Sequence, residues 1–242
     1  MIDIQGIRVL AQNILTYNEP AKTVPILAWC AGCFIKSHLK KCGVKFPHLF
    51  LIGEPGSGKS ATLENIIVPI MGNTRIYASS SITPFVMMKE ADTSNVIPIY
   101  LDEFKPSKMK SKLANLHGIY NHLRDGYDGH KASRGRSDQS QVFYDLFAPI
   151  VVSGEESPDE SAIRERAIEL PFSRKDTLAD DREAIFIWWL SNRDLLRCFG
   201  RSLLDAALRT TVKEVAGWFD ESKKDEQCCN MYMPVAHRRD PG

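Results

Sequence analysis

Two spacings of apolar residues alternate along this chain. Residues 20 to 42 carry apolar side chains at helical intervals and close on Lys36, Lys40, Lys41 and then Gly43, the basic last turn and glycine that stop a helix. The run PHLFLIGE is short and apolar and breaks into a glycine-rich loop, after which KSATLENIIVPIMG resumes helical periodicity. Strand, loop and helix are expected there in that order. Beyond a polar stretch holding Ser79, Ser80 and Ser81, TPFVMMKEADT reads as a helix and VIPIYLDEF as a second apolar strand. Pro98 cannot donate to a sheet ladder, so that strand is placed from Ile99 onward.

The segment SKLANLHGIYNHLRDGYDG is helical up to Gly126, and QVFYDLFAPIVVSGE holds two apolar runs split by Pro149. The second run, IVVSG, is a third buried strand, and SAIRERAIELPF passes from a helix into a short strand. Residues 177 to 219 are almost wholly helical in pattern, with Trp188, Trp189, Leu190, Leu195, Leu196, Leu203 and Leu204 expected in the core. The last stretch, EQCCNMYMPVAHRRDPG, reads as a loose terminus or a truncation point. Strands alternating with helices predict an α/β fold with a mainly parallel sheet. The expected organisation is a helical lead-in over residues 1–43, a core over 44–175, and a helical segment with a tail over 176–242.

At 242 residues the chain can bury one substantial core, and 43% hydrophobic with 25% charged residues excludes wholesale disorder. Thirty-one Lys and Arg against thirty Asp and Glu leave a formal charge of +1, so any nucleic-acid contact must come from local patches. The opening MIDIQGIRVLAQN lacks the basic start and apolar run of a signal peptide, and no stretch approaches the ~18 apolar residues of a membrane span. A cytoplasmic protein is expected, with no membrane partner. Its six cysteines then read as thiols and not as a disulfide framework. Trp29-Cys30-Ala31-Gly32-Cys33 matches the WCxxC of redox proteins only superficially, because 19 residues separate Cys33 from Gly53 and leave no room for that motif's own βαβ unit. Core packing is the simpler role.

Gly53-Glu54-Pro55-Gly56-Ser57-Gly58-Lys59-Ser60 satisfies G-x-x-x-x-G-K-[ST] and stands between a strand pattern and a helix pattern. Glycines let the backbone turn its N–H groups toward phosphates, Lys59 reaches the β and γ phosphates, and the Ser60 hydroxyl ligates Mg²⁺. The binding segment is taken from Gly53 through Ala61, with ATP and Mg²⁺ as ligands. Such a loop needs a carboxylate at the end of another strand to help hold the metal, and Asp102 supplies it. Glu103, next in line, is the candidate base for the attacking water. The plain alternative is that both acids are merely solvated at a strand end. Their adjacency favours hydrolysis over a small-molecule kinase, which needs no base for water.

In their order, GEPGSGKS, IYLDE, VVSGE and IRERAIEL resemble the Walker A, Walker B, sensor 1 and arginine-finger motifs of AAA+ P-loop ATPases. The likeness runs over residues 45 to 175. It is nearest to the replicative helicase ATPase domains of phages, plasmids and integrative mobile elements, which often stand beside a primase. It implies a P-loop NTPase three-layer sandwich. It also implies that Ser153 contacts the γ phosphate or the attacking water, with Glu155 as second candidate, since the family usually carries Asn there. Arg166, or alternatively Arg164, would act in trans on a neighbour's ATP, which requires a ring, with a hexamer expected. The residues alone equally allow Arg164, Glu165, Arg166 and Glu169 to form solvated helix pairs.

The resemblance further implies a β-hairpin ahead of VVSGE that projects into the ring's pore and grips single-stranded or forked DNA. Within GYDGHKASRGRSDQSQVFYDL, Lys131, Arg134 and Arg136 would hold the strand's phosphates, and Tyr127 and His130 would stack or hydrogen-bond. A surface loop with solvated charges is the alternative. The run Lys105, Lys108, Lys110 and Lys112 reads as a solvated face, and Arg193, Arg197 and Arg201 are undistinguished candidates for a lid residue that touches nucleotide. The expected function is an ATP-hydrolysing motor, a DNA helicase or translocase in replication of a mobile element. The competing expectation is a nucleotide-dependent switch or assembly factor that unwinds nothing.

Overall fold

A computed structural model describes residues 8–10, 13–135, 140–176 and 182–232. Helix α1 (Pro20–Lys41) starts on a proline and ends where Gly43 turns left-handed at φ 74°. There Val44 N–H bonds the Leu39 carbonyl and Gly43 N–H the Lys40 carbonyl, so the last carbonyls of the helix are satisfied. Then follow β1 (His48–Gly53), α2 (Lys59–Thr62), a π turn (Leu63–Ile67), α3 (Val68–Met71), β2 (Ile76–Ala78), α4 (Pro84–Ala91) and β3 (Ile99–Phe104). A 3₁₀ segment (Pro106–Lys112) leads into α5 (Leu113–Asp128), and β4 (Lys131–Gly135) pairs antiparallel with β5 (Gln141–Asp145). The rest is β6 (Ile150–Gly154), α6 (Ser161–Arg164), β7 (Ala167–Phe172), α7 (Arg182–Ser191), α8 (Arg193–Arg209) and α9 (Val212–Tyr232).

Five strands form one sheet in the order β2-β3-β6-β1-β7, and every neighbouring pair is parallel. Alternating side chains divide the core. Leu49, Leu51, Tyr100, Val151 and Leu170 point to a face covered by α1, the α2–α3 helix and α8, which bring Trp29, Leu63, Ile67, Ile70 and Leu196. Phe50, Ile52, Leu101, Ile150 and Val152 point to the opposite face, covered by Met87 of α4, by Leu116, Ile119 and Leu123 of α5, and by Ile163 of α6. This is the three-layer α/β sandwich expected, with helical lead-in and helical C-terminal segment both packed on one face. Cys30 and Cys33 are fully buried free thiols in that face, and burial pushes the Cys30 pKa up to about 12 and that of Cys33 upward. They are core side chains.

Four expectations need correction. The polar stretch before α4 is preceded by β2, three half-buried residues whose strand character comes from pairing with β3 and not from their own pattern. Helix α5 passes through Gly126 and stops only at Gly129, which adopts φ 75°. Burial of Leu116, Ile119 and Leu123 outweighs the roughly 1 kcal/mol that one interior glycine costs. Leu190 and Leu204 are 37% and 42% exposed, whereas Trp189 and Leu196 are fully buried. Finally, α9 carries a helix through Tyr232, where a loose end was expected. Among the described residues no helix is long and apolar enough to cross a membrane.

Candidate functional site

The loop after β1 is built by its glycines. Gly56 and Gly58 sit at φ 75° and 87°, a region L side chains rarely enter, and a Cβ at Gly53 would strike the carbonyl oxygen of Phe172 on β7. Lys59, almost buried, opens α2 and donates to the Glu54 carbonyl at 2.8 Å and the Ser57 hydroxyl at 3.3 Å. Burial pushes its pKa down, against the pull of Glu155, Asp102 and Glu54. The far wall of the loop is pinned to the chain after β7: Arg174 donates from its backbone N–H to Glu54 at 2.8 Å and from Nε to the Pro55 carbonyl at 2.6 Å.

The end of β3 meets this loop across β6. Leu101 stands opposite Val152 but Phe104 opposite Gly154, so β3 carries one extra residue and bulges at Asp102 and Glu103. The bulge puts Asp102 Oδ1 3.3 Å from the Ser60 hydroxyl, which donates to it, while Glu103 N–H donates to the same oxygen at 2.8 Å. Ser79, fully buried at the end of β2, donates to the Asp102 carbonyl from both its N–H and its hydroxyl, each at 2.8 Å. Glu103 is turned out to solvent at φ 55°, the left-handed region, and among the described residues it alone is a non-glycine there. Such a conformation in an L-residue costs about 1–2 kcal/mol and persists where the surroundings impose it.

Two cavities flank the loop and share Gly56, Lys59 and Ser60. One, of about 460 Å³, is walled by Tyr17 and Asn18 ahead of α1, by the loop and α2 as far as Thr62, and by Glu183 and Phe186 of α7. Tyr17 and Thr62 hold its edge through a 3.1 Å hydroxyl contact. The other, of about 560 Å³, is walled by Asp102, Glu103, Glu155 and Lys105 together with Lys108 and Lys112. Lys105 pairs with Glu155 and keeps its carboxyl below the usual range. Of the two sensor candidates, Glu155 lines this cavity. Ser153 is fully buried beside α2, with a hydroxyl that has no hydrogen-bond partner.

Other predicted residues lie elsewhere. Arg166 precedes β7, so it sits level with the start of β1, about 17 Å of strand from the loop. It donates to the Ala162 carbonyl at 2.5 Å and pairs with Asp128 at 3.3 Å. In the hairpin, Lys131 is paired with Asp145 at 3.1 Å and the Arg134 guanidinium stacks 4.2 Å from the centre of the Phe85 ring. Arg136 lies outside the described residues. Of the lid candidates, Arg193 bonds the Asn65 side chain behind α2, and Arg197 pairs with Asp194.

No family model and no curated protein matches this chain. Among solved structures it is similar to the JCV helicase, bound to an acetamide compound, at 19% identity and a TM-score of 0.43, over 83% of this chain and 61% of that one. An inhibitor-bound JCV helicase gives 14% and 0.42, over 93% and 70%. The apo C-terminal region of NrS-1 gives 13% and 0.39, over 88% and 50%. This chain thus spans 61% and 50% of the length of two of these neighbours.

Sequence reasoning missed Tyr17, Asn18, Phe186, Ser79 and Arg174, all of which touch the loop, its cavities or the Asp102 carbonyl. None belongs to a motif with fixed spacing. They reach the site through sheet order and helix packing alone, and the one available signal was an aromatic just ahead of a helix that starts on a proline.

Proposed function

We propose that this chain is an AAA+-like ATPase motor subunit, a DNA helicase or translocase that serves replication of a mobile element. One juxtaposition carries the reading: the Ser60 hydroxyl and the Asp102 carboxylate lie 3.3 Å apart at the ends of two strands, beside Lys59 and with Glu103 held out on a bulge. Ser60 and Asp102 are hard oxygen donors and fit Mg²⁺, which when bound neutralises charge on the β and γ phosphate oxygens. The N–H groups from Gly56 to Ala61 cradle the phosphates, with Gly53, Glu54 and Pro55 shaping the turn. Lys59 exchanges its bonds to Glu54 and Ser57 for phosphate oxygens. Glu103 orients the attacking water and takes its proton, a task suited to an exposed carboxylate beside the phosphate cavity. Glu155, in the same cavity, is better placed than Ser153 to contact the attacking water, from which its carboxylate would accept.

The 460 Å³ cleft suits the nucleoside, with Tyr17 and Phe186 as the rings nearest an adenine. Arg166 is too far to serve its own loop, so a catalytic role for it would be in trans, in a ring of subunits, and would draw it from its pairing with Asp128, with a hexamer and a primase partner as the extended expectation. Lys131, Arg134 and Arg136 would meet the DNA backbone. The second reading, a nucleotide-dependent switch or assembly factor, draws on the pairing of Lys131 with Asp145 and the stacking of Arg134 on Phe85, which leave those cations engaged.

The deciding experiment measures ATP hydrolysis with and without single-stranded DNA, particle mass in ATP and Mg²⁺, and strand displacement on a fork. A motor shows DNA-stimulated turnover and displacement. Assembly that depends on ATP but ignores DNA, with or without hydrolysis, would establish the switch, and neither hydrolysis nor ATP-dependent assembly would refute both.

A further inference from the structure

Where β1 begins, at the end of the sheet opposite the phosphate loop, lies a third cavity of about 580 Å³. Its wall includes Lys36, Lys40 and Lys41 from the end of α1, Lys45 from the loop that follows, and the rings of Phe46 and Phe147. Asp128, which closes α5, accepts from Lys45 and from Arg166, and both cations lie over the Tyr127 ring, 5.2 and 5.6 Å from its centre. Lys45, with Arg166, holds the Asp128 carboxyl below the usual range. The Arg166 Nε is buried without a hydrogen-bond partner. Lys36 donates to the Phe147 carbonyl, and burial lowers its pKa to about 8.

Charge does not balance here. Four lysines of the wall, with Arg166 and Lys131 beside it, face three carboxylates: Asp128, Asp145, which Lys131 holds at 3.1 Å, and Asp92, which accepts from the Asp145 N–H at 2.7 Å. The C-terminal ends of α1 and α5 add about half a negative charge each, which leaves a surplus of about two positive charges. Helix ends alone would account for Lys40 and Lys41. They do not account for Lys45 and Arg166, which come from a loop and a strand start.

We propose that this cavity is a second phosphate-binding site, for the phosphate of a free nucleotide or of a nucleic-acid strand, in which Asp128 is a built-in counter-ion that the phosphate supplants. Lys40 and Lys45 supply the charge-assisted hydrogen bonds, and Phe46 and Phe147 offer apolar wall to a base or sugar. The site is separate from the phosphate loop and does not depend on hydrolysis there.

The test uses the full chain carrying Lys59→Ala, so that the phosphate loop does not compete. Tripolyphosphate is titrated calorimetrically, and a fluorescein-labelled oligo-dT by anisotropy, both at low salt. At least one probe should bind. Adding Lys40→Ala with Lys45→Ala should weaken that binding about tenfold or more, the scale of one or two lost bonds to a charged group. Asp128→Asn should tighten it several-fold by removing the competing carboxylate, an effect that a purely structural Asp128 would not produce. Binding of tripolyphosphate marks the free nucleotide as source, and binding of the oligonucleotide alone marks the strand. Binding of neither probe, unchanged affinity in the double lysine variant, or weakened affinity in Asp128→Asn overturns the site. Whether the phosphate loop itself works is read separately, by titrating ATP into the parent chain and into Lys59→Ala.

Discussion

Glu103 joins a strained backbone to a proposed chemical task, and two substitutions separate these. At φ 55° a left-handed L-residue costs about 1–2 kcal/mol, and Glu103→Gly removes that cost. Glycine also loosens the unfolded chain, which returns roughly 0.5–1 kcal/mol. The Glu103 side chain is exposed, and its N–H, which bonds Asp102, is retained by glycine. The net gain is therefore roughly 0.5–1 kcal/mol, or about 1–4 °C in Tm for a chain of this length. Glu103→Gln keeps the strain and should melt within about 1 °C of the parent. Both variants remove the base, so ATP turnover should fall about 10²–10⁴-fold in each while nucleotide binding persists. Scanning calorimetry and a phosphate-release assay read the two effects side by side. A Glu103→Gly variant that melts below the parent refutes the strained bulge. Normal turnover in Glu103→Gln refutes the base assignment and moves it toward Glu155.

Lys59→Ala should abolish nucleotide binding in calorimetry; retained affinity would mean that the loop is not the phosphate site. Gly200→Ala should destabilise by about 1–3 kcal/mol in urea unfolding, because its Cβ would strike the Ile70 carbonyl where α8 crosses α3, and a parental midpoint would contradict that packing. His48 is fully buried, donates from Nε2 to the Leu123 carbonyl at 2.8 Å, and has its pKa lowered to about 4 by burial. Its unfolded form binds the proton first, so stability is full above about pH 6.5 and is lost as the pH falls toward 4, by about 3 kcal/mol. The comparison is with His48→Gln over the same range, and an equally steep loss in that variant would clear His48. Arg134→Ala forfeits a ring contact worth about 0.5–1 kcal/mol and should weaken single-strand binding with a shallower salt dependence. Unchanged DNA affinity would remove the hairpin from the interface.

Much of the candidate site was legible because the proposed chemistry needs residue types at fixed local spacing. A phosphate loop requires left-handed glycines, and Gly56 and Gly58 adopt that conformation in sequence with Lys59 and Ser60. The strand ahead of it reads from its apolar run, and so do β3 and β6, because strands buried on both faces must be apolar throughout. Helix α1 reads from its period and its glycine stop. These are properties of neighbours along the chain.

What the sequence left open depends on residues far apart in it. Strand order alone brings Asp102 to Ser60, 42 positions away, and inserts β6 between their strands. Pairing with β3 makes a strand of β2 and thereby places Ser79 under the bulge, while the extra residue opposite Gly154 turns Glu103 outward. The choice between Ser153 and Glu155 is likewise one of depth: two positions apart they would share a face of the strand, but Ser153 lies inside β6 and is fully buried, whereas Glu155 follows the strand's end at Gly154 and lines the cavity. The chain by itself thus specified the loop, the carboxylates and the layers' apolar faces. Only the folded sheet decided which distant side chains share a cavity, because strand order and register are set by pairing between segments far apart in the chain.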